Sequence, residues 1–200
     1  MELQKIKHEL TFKEYVNLAG RTMQRLGIEM DRHHMNMGAI TEIGELLDAY
    51  KKALIYKKEL DTVNVQEEWA DILWYLSNSL RLQVGYDNYL NVKSCMDFIG
   101  ETDWVIKNNL SGVTNNNLEP NLMRNSILIC IFLNDYLKTY KDNPQLSIPS
   151  LIKLGHKLGV NMNVAMTNNI NKLIVRFPDK FDTYFALNRD LDSEREELSK

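Results

Sequence analysis

Residues 41–76 read TEIGELLDAYKKALIYKKELDTVNVQEEWADILWYL, and their spacing decides the fold. From about residue 31 to 55, Met35, Ala39, Ile40, Ile43, Leu46, Leu47, Tyr50 and Leu54 recur mostly three and four apart, the period of an amphipathic helix. After the charged, non-periodic residues 56–63, Asn64 followed by Glu67 has the capping-box pattern, ahead of Trp69, Ile72, Leu73, Leu76 and Leu80. This predicts a second helix over about 64–82. Each helix carries one acid pair, Glu42 with Glu45 and Glu68 with Asp71. Residues three apart differ by about 300° of rotation, so each pair projects from one face. Antiparallel packing brings the four carboxylates together: their axial mismatch of roughly 9 Å is within the roughly 26 Å that the connecting residues span.

Outward from this hairpin the chain stays helical. Thr11 and Glu14 form a capping box ahead of Phe12, Tyr15, Val16, Ala19, Met23 and Leu26, predicting a helix over about 11–27. Further helices are expected at about 87–109, 119–140, 149–158, 162–175 and 190–199. Turn formers at 111–117 and 142–149 mark loops, and Phe177-Pro178-Asp179 breaks the chain. Only 9 glycines and 4 prolines among 200 residues, and no sustained alternation of apolar and polar residues, favour an all-α helical bundle. That length suits a single domain over 1–200, with a helical insertion at about 86–149.

Composition excludes several functional classes. A formal charge of -3 with no basic run argues against a nucleic-acid surface. The longest apolar run, Ile127 to Leu133, is far short of a membrane span, and the N-terminal residues lack a signal peptide's apolar segment, so a cytoplasmic location is expected. Cys95 and Cys130 have no second Cys or His at ligand spacing and are expected to be free, buried thiols, with no zinc site.

Four like charges bordering apolar helix faces repel one another and lose solvation, a conflict that a divalent cation removes. An all-oxygen donor set suits Mg²⁺, or Mn²⁺, whereas a di-iron bundle needs histidines where Glu45 and Asp71 stand. Because Mg²⁺ keeps coordination positions for water and substrate phosphates, such a site suggests a polyphosphate substrate. Gly44, inside the helix between two of the acids, suggests close approach of another backbone or of a ligand. Acid pairs three apart also occur on solvated helix faces, which is the alternative.

Glu-x-x-Glu, 22 residues, then Glu-x-x-Asp resembles the MazG-like branch of the all-α nucleoside triphosphate pyrophosphohydrolases. The likeness extends through His34, Gly38, residues 41–48, Lys51-Lys52, Tyr56, Leu60-Asp61 and Val63-Asn64 to residues 67–76. It returns in Asn169-Ile170-Asn171-Lys172-Leu173, Arg176 to Phe181 and Ala186 to Asp190. It thus covers about 11–85 and 150–195; residues 86–149 are a stretch that the short members mostly lack, expected to serve as an extra helical hairpin for oligomerisation or as a lid over the substrate.

The resemblance implies that Glu42, Glu45, Glu68 and Asp71 hold Mg²⁺ and that a metal-activated water cleaves between the α and β phosphorus atoms of a nucleoside triphosphate, with one acid as general base. The products would be nucleoside monophosphate and pyrophosphate. It also implies a homo-oligomer, a dimer or tetramer, and nucleotide contacts from Asn169 and Lys172. Lys52 falls near the acid face and could reach a phosphate. Arg176 and Arg189 would bind phosphate or cap the fold, and His34 would make a helix-end hydrogen bond. Among Trp69, Trp74 and Tyr75, Trp69, set between two acids, is the candidate for stacking a base. A catalytically silent binding protein and a phosphoribosyl-ATP pyrophosphohydrolase are the competing expectations.

Overall fold

A computed structural model describes residues 4–109, 121–140 and 143–199. Among these residues the chain forms nine α-helices and no strand, as the periodicity predicts: α1 (Phe12–Ala19), α2 (Ile28–Tyr56), α3 (Thr62–Gln83), α4 (Lys93–Asn109), α5 (Leu122–Thr139), α6 (Ile148–Leu158), α7 (Met162–Arg176), α8 (Thr183–Leu187) and α9 (Leu191–Leu198). The loop expected at 111–117 lies outside the described residues, as does the start of the one at 142–149. The rest of that second loop is a 3₁₀ turn, Pro144–Ser147, running straight into α6.

Caps set the ends of the three helices that matter most. The capping box at α1 forms, with the Glu14 amide 3.2 Å from Thr11 Oγ1 and the Thr11 amide 2.9 Å from Glu14 Oε2. The helix stops at Ala19, well before residue 27, and turns through a 3₁₀ segment at Gly20–Thr22. A Cβ on Gly20 would lie 1.1 Å from Arg81 Nη1, so the absent side chain makes room for that guanidinium. Gly27 at φ 105° redirects the chain, and α2 starts at Ile28, three residues earlier than expected. Asp61, not Asn64, caps α3: its carboxylate accepts the Asn64 amide at 3.0 Å, so the helix begins at Thr62.

Helices α2 and α3 form the most extensive helix pair, and α3 also meets α1, α6 and α7. The core runs through Phe12, Tyr15, Ile43, Leu46, Trp69, Ile72 and Leu73, all fully buried. Each such side chain contributes about 1.5–3 kcal/mol on burial. Two glycines allow tight approach. A Cβ on Gly38 would sit 2.0 Å from the Tyr75 ring, and one on Gly155 would sit 2.5 Å from Trp69 Nε1.

The described residues of segment 86–149 pack onto this same core. Ile99 and Ile106 of α4 and Ile129, Phe132 and Tyr136 of α5 are buried in it, with α4 against α1 and α5 against α2 and α6. Cys95 is buried as expected, but Cys130 is exposed: α5 turns Asn125, Ile129, Phe132 and Tyr136 inward, and residue 130 faces out. Among the described residues no helix is long and apolar enough to cross a membrane.

Candidate metal centre

Glu42 on α2 and Glu68 and Asp71 on α3 each place a carboxylate oxygen so that the three lie within 4.8 Å of one another. This is the one such group of possible metal ligands among the described residues. Glu45 lines the same cavity but stands outside the trio, on the exposed side of α2, so three acids converge where four were expected.

Burial and mutual repulsion make the cluster costly to charge. Burial, followed by the charges of Asp71, Glu42 and Glu45, pushes the Glu68 carboxyl up to about 9. Burial and Asp71 raise Glu42 to about 7, while a hydrogen bond with Glu68 works in the opposite direction. Both carboxyls are thus pushed toward sharing a proton when no cation is present. A small divalent cation can replace that proton and neutralise the group with oxygen ligands alone. The donor set fits such an ion, with Glu42, Glu68 and Asp71 as holders.

Asp71 is fixed from behind. Lys172 Nζ lies 2.6 and 2.9 Å from its two oxygens and 3.2 Å from Glu67, and Asn169 Nδ2 donates to Asp71 at 2.5 Å. The Tyr15 hydroxyl sits 2.9 Å from both Asn169 Oδ1 and the Ala70 carbonyl. Burial alone would lower the Lys172 ammonium, but the Asp71 and Glu67 carboxylates outweigh it and hold it above its ordinary value. Asn169 and Lys172, expected to contact the nucleotide, are not among the cavity-lining residues; here they orient and charge-balance an acid. Their spacing on one face of α7 is visible in the sequence; that Asp71 consumes both is not.

The acids open into a cavity of about 260 Å³. Two cations face it, Arg176 and Arg189, both held by the buried Glu194 of α9. Arg176 Nε lies 2.8 Å from Glu194 Oε1, its Nη2 pairs with Oε2, and Arg189 Nη2 lies 2.7 Å from the same Oε2. Burial would raise the Glu194 carboxyl, yet hydrogen bonds from the two guanidiniums bring it down to about 2. Aromatic walls come from Trp74, Tyr75, Phe177 and Phe181.

Trp69 is not among them. It is fully buried, donates its indole N–H to the Leu151 carbonyl at 3.0 Å and packs on Gly155, so it belongs to the core. Position 69 lies between the acids in sequence but on the opposite side of α3 in rotation. Lys52 is exposed, 2.8 Å from Asp48, and lies on a neighbouring groove shared with Glu45 and Glu68 rather than on the acid cavity. His34 lines the cavity edge-on to Tyr75, with burial drawing its imidazole below the ordinary value. Its Nδ1 is buried without a hydrogen-bond partner, so the expected helix-end bond is not made through that atom. Among the described residues, no atom beyond its own stretch of helix lies within 4 Å of the Cβ position at Gly44, so no other described backbone crosses there.

Sequence reasoning passes over Gln24, Glu67 and the placing of Phe177 and Phe181 on the cavity. The one signal for the two phenylalanines is the motif around Pro178. Among the described residues, none of 86–149 lines the cavity. No protein-family model, curated protein or solved structure matches this chain.

Proposed function

We propose that the protein hydrolyses nucleoside triphosphates to nucleoside monophosphate and pyrophosphate with Mg²⁺, or Mn²⁺ in its place. The observation that carries this reading is the union, in one cavity, of three converging carboxylates with two guanidiniums and four aromatic rings. Carboxylates alone would suit any divalent cation; arginines at the same cavity suit an anionic substrate, and rings suit a base. When bound, the cation supplies charge neutralisation at the phosphate oxygens and lowers the pKa of a water.

The remaining roles belong to the chain. Glu42, Glu68 and Asp71 hold the ion, with Lys172 and Asn169 keeping Asp71 in place. Glu45, outside the trio yet lining the cavity, is positioned to accept the proton of the attacking water. Arg176 and Arg189 bind phosphate oxygens. Trp74, Tyr75, Phe177 and Phe181 enclose the nucleoside. A cytoplasmic homo-oligomer, a dimer or tetramer, accompanies this reading; Met123, Ile127 and Ile131, half exposed on one stripe of α5, give it an apolar face to associate through.

The test is release of pyrophosphate from a panel of ribo- and deoxyribonucleoside triphosphates, with Mg²⁺ and with chelator, by the native chain and by Glu68→Gln. Monophosphate and pyrophosphate in equal amounts, dependent on both the metal and Glu68, is the expected result. No turnover of any nucleotide overturns the assignment.

A further inference from the structure

Among the described residues, one face of α5 is left uncovered. Asn125, Ile129, Phe132 and Tyr136 turn inward, while on the other side Met123, Ile127, Ile131 and Leu137 are 57, 51, 50 and 46% exposed. Single exposed apolar residues are ordinary, but four along one helix make a continuous patch of the kind that marks an association surface.

The charges on the same helix point to what covers it. At about 100° per residue, Met123, Ile127 and Ile131 fall within about 50° of the direction opposite the buried stripe. Arg124 and Asp135 lie together on one flank of that patch and Cys130 toward the other, all three exposed. In an antiparallel pair related by a two-fold axis across the helices, each flank of one helix meets the same flank of the other. With the axis between residues 129 and 130, Arg124 stands level with Asp135 of the second copy, and Asp135 with its Arg124. The same axis sets Met123 against Leu137, Ile127 against Ile131 and Cys130 against its own copy, each to within one residue, about 1.5 Å of rise. Charge pairing and apolar pairing thus select one register. A parallel pair would set each charge level with its like and align the two helix dipoles, which the antiparallel pair opposes. Asp135 holds Lys138 at 2.9 Å within the chain, and its carboxylate keeps acceptor positions for a second cation.

We infer that the chain pairs with a second copy of itself through α5, antiparallel about a two-fold axis between residues 129 and 130. Two helices of 18 residues, about 27 Å long, make a contact at the small end of the range for specific interfaces, so the pair exchanges with monomer. This inference rests on the homo-oligomer proposed above and is independent of the hydrolysis.

The experiment is sedimentation velocity of the full chain over a concentration series, and a monomer–dimer equilibrium is expected. Ile127→Lys, at an exposed position outside the core, weakens it by about tenfold or more. Arg124→Asp and Asp135→Arg each set like charges level and weaken it by roughly threefold. The double variant restores opposite charges in exchanged places and returns to within about twofold of the native chain, a rescue that loss of either charge alone does not produce. A short bismaleimide joins two native chains through Cys130, and Cys130→Ala abolishes the product, since Cys95 is buried. A chain that stays monomeric at every concentration overturns both the oligomer and this interface. A larger species indifferent to Ile127→Lys, a double variant no tighter than the single ones, or no cross-link through Cys130 overturns the interface alone.

Discussion

Lys172 Nζ lies 2.6 Å from Asp71 Oδ2, with the lysine fully buried and the aspartate facing the acid cavity. The ammonium is thus a fixed internal counter-charge. Removing it leaves Asp71 and Glu67 without their balancing cation, so Lys172→Met is expected to destabilise the fold by about 3–5 kcal/mol. Urea unfolding measures this, and a loss under about 1 kcal/mol would show that the pair is solvated and weak.

Glu68 and Glu42 tie stability to pH. Their folded pKa values stand above the ordinary 4.5, so the folded chain binds more protons than the unfolded chain at neutral pH. Without a divalent cation, their contribution is greatest below about pH 4.5 and is lost as pH rises through about 7 and then about 9. A cation replaces the proton, so the difference in Tm between Mg²⁺ and chelator should widen as the pH is raised. Thermal melts across that window check it, and a constant difference would count against metal binding at these acids.

Glu68→Gln separates the metal from the fold. The amide keeps the hydrogen bond to Glu42 but removes a charge that repels Asp71, Glu42 and Glu45. In chelator at alkaline pH the variant should be more stable than the native chain, by roughly 1–2 kcal/mol. It should also lose the stabilisation by Mg²⁺. Paired melts with and without the ion report both effects.

Glu194 makes a distinct prediction because it touches the cavity only through arginines. Glu194→Gln leaves Arg176 and Arg189 less firmly placed, and KM for the triphosphate is expected to rise about tenfold. Loss of the buried carboxylate should also destabilise the chain, by about 2–3 kcal/mol. Steady-state kinetics at a temperature where both forms are folded distinguishes them; an unchanged KM would show that the arginines do not depend on it.

Two glycines on one helix should respond in opposite directions. Gly38→Ala forces a Cβ to within 2.0 Å of the Tyr75 ring and should destabilise the fold by about 1–3 kcal/mol. Gly44→Ala meets no protein atom and should stabilise it by about 0.5–1 kcal/mol through helix propensity. Melting temperatures of the two variants suffice to check the signs.

Periodicity and capping residues make the helices legible in the sequence, because both depend on neighbours within a turn or two. The acid pairs are legible for the same reason: Glu42 with Glu45 and Glu68 with Asp71 share faces by spacing alone. Helix boundaries depart from the expectation by a few residues where a different local residue sets them, as when Asp61 rather than Asn64 caps α3 and Gly27 starts α2. The site is only partly local. That three acids converge while Glu45 stands aside depends on how α2 and α3 pack, which spacing does not specify. Asn169 and Lys172 have the spacing of substrate contacts, but α7 docks behind Asp71 and both are consumed there. Trp69 has the sequence position of a stacking platform, but its indole is bonded to Leu151, 82 positions away. Local sequence thus determines the all-α architecture and the identity of the acids. Tertiary packing alone decides which polar side chains face the cavity and which are used up beneath it, because a buried charge or amide takes its partner from whichever element the fold brings near.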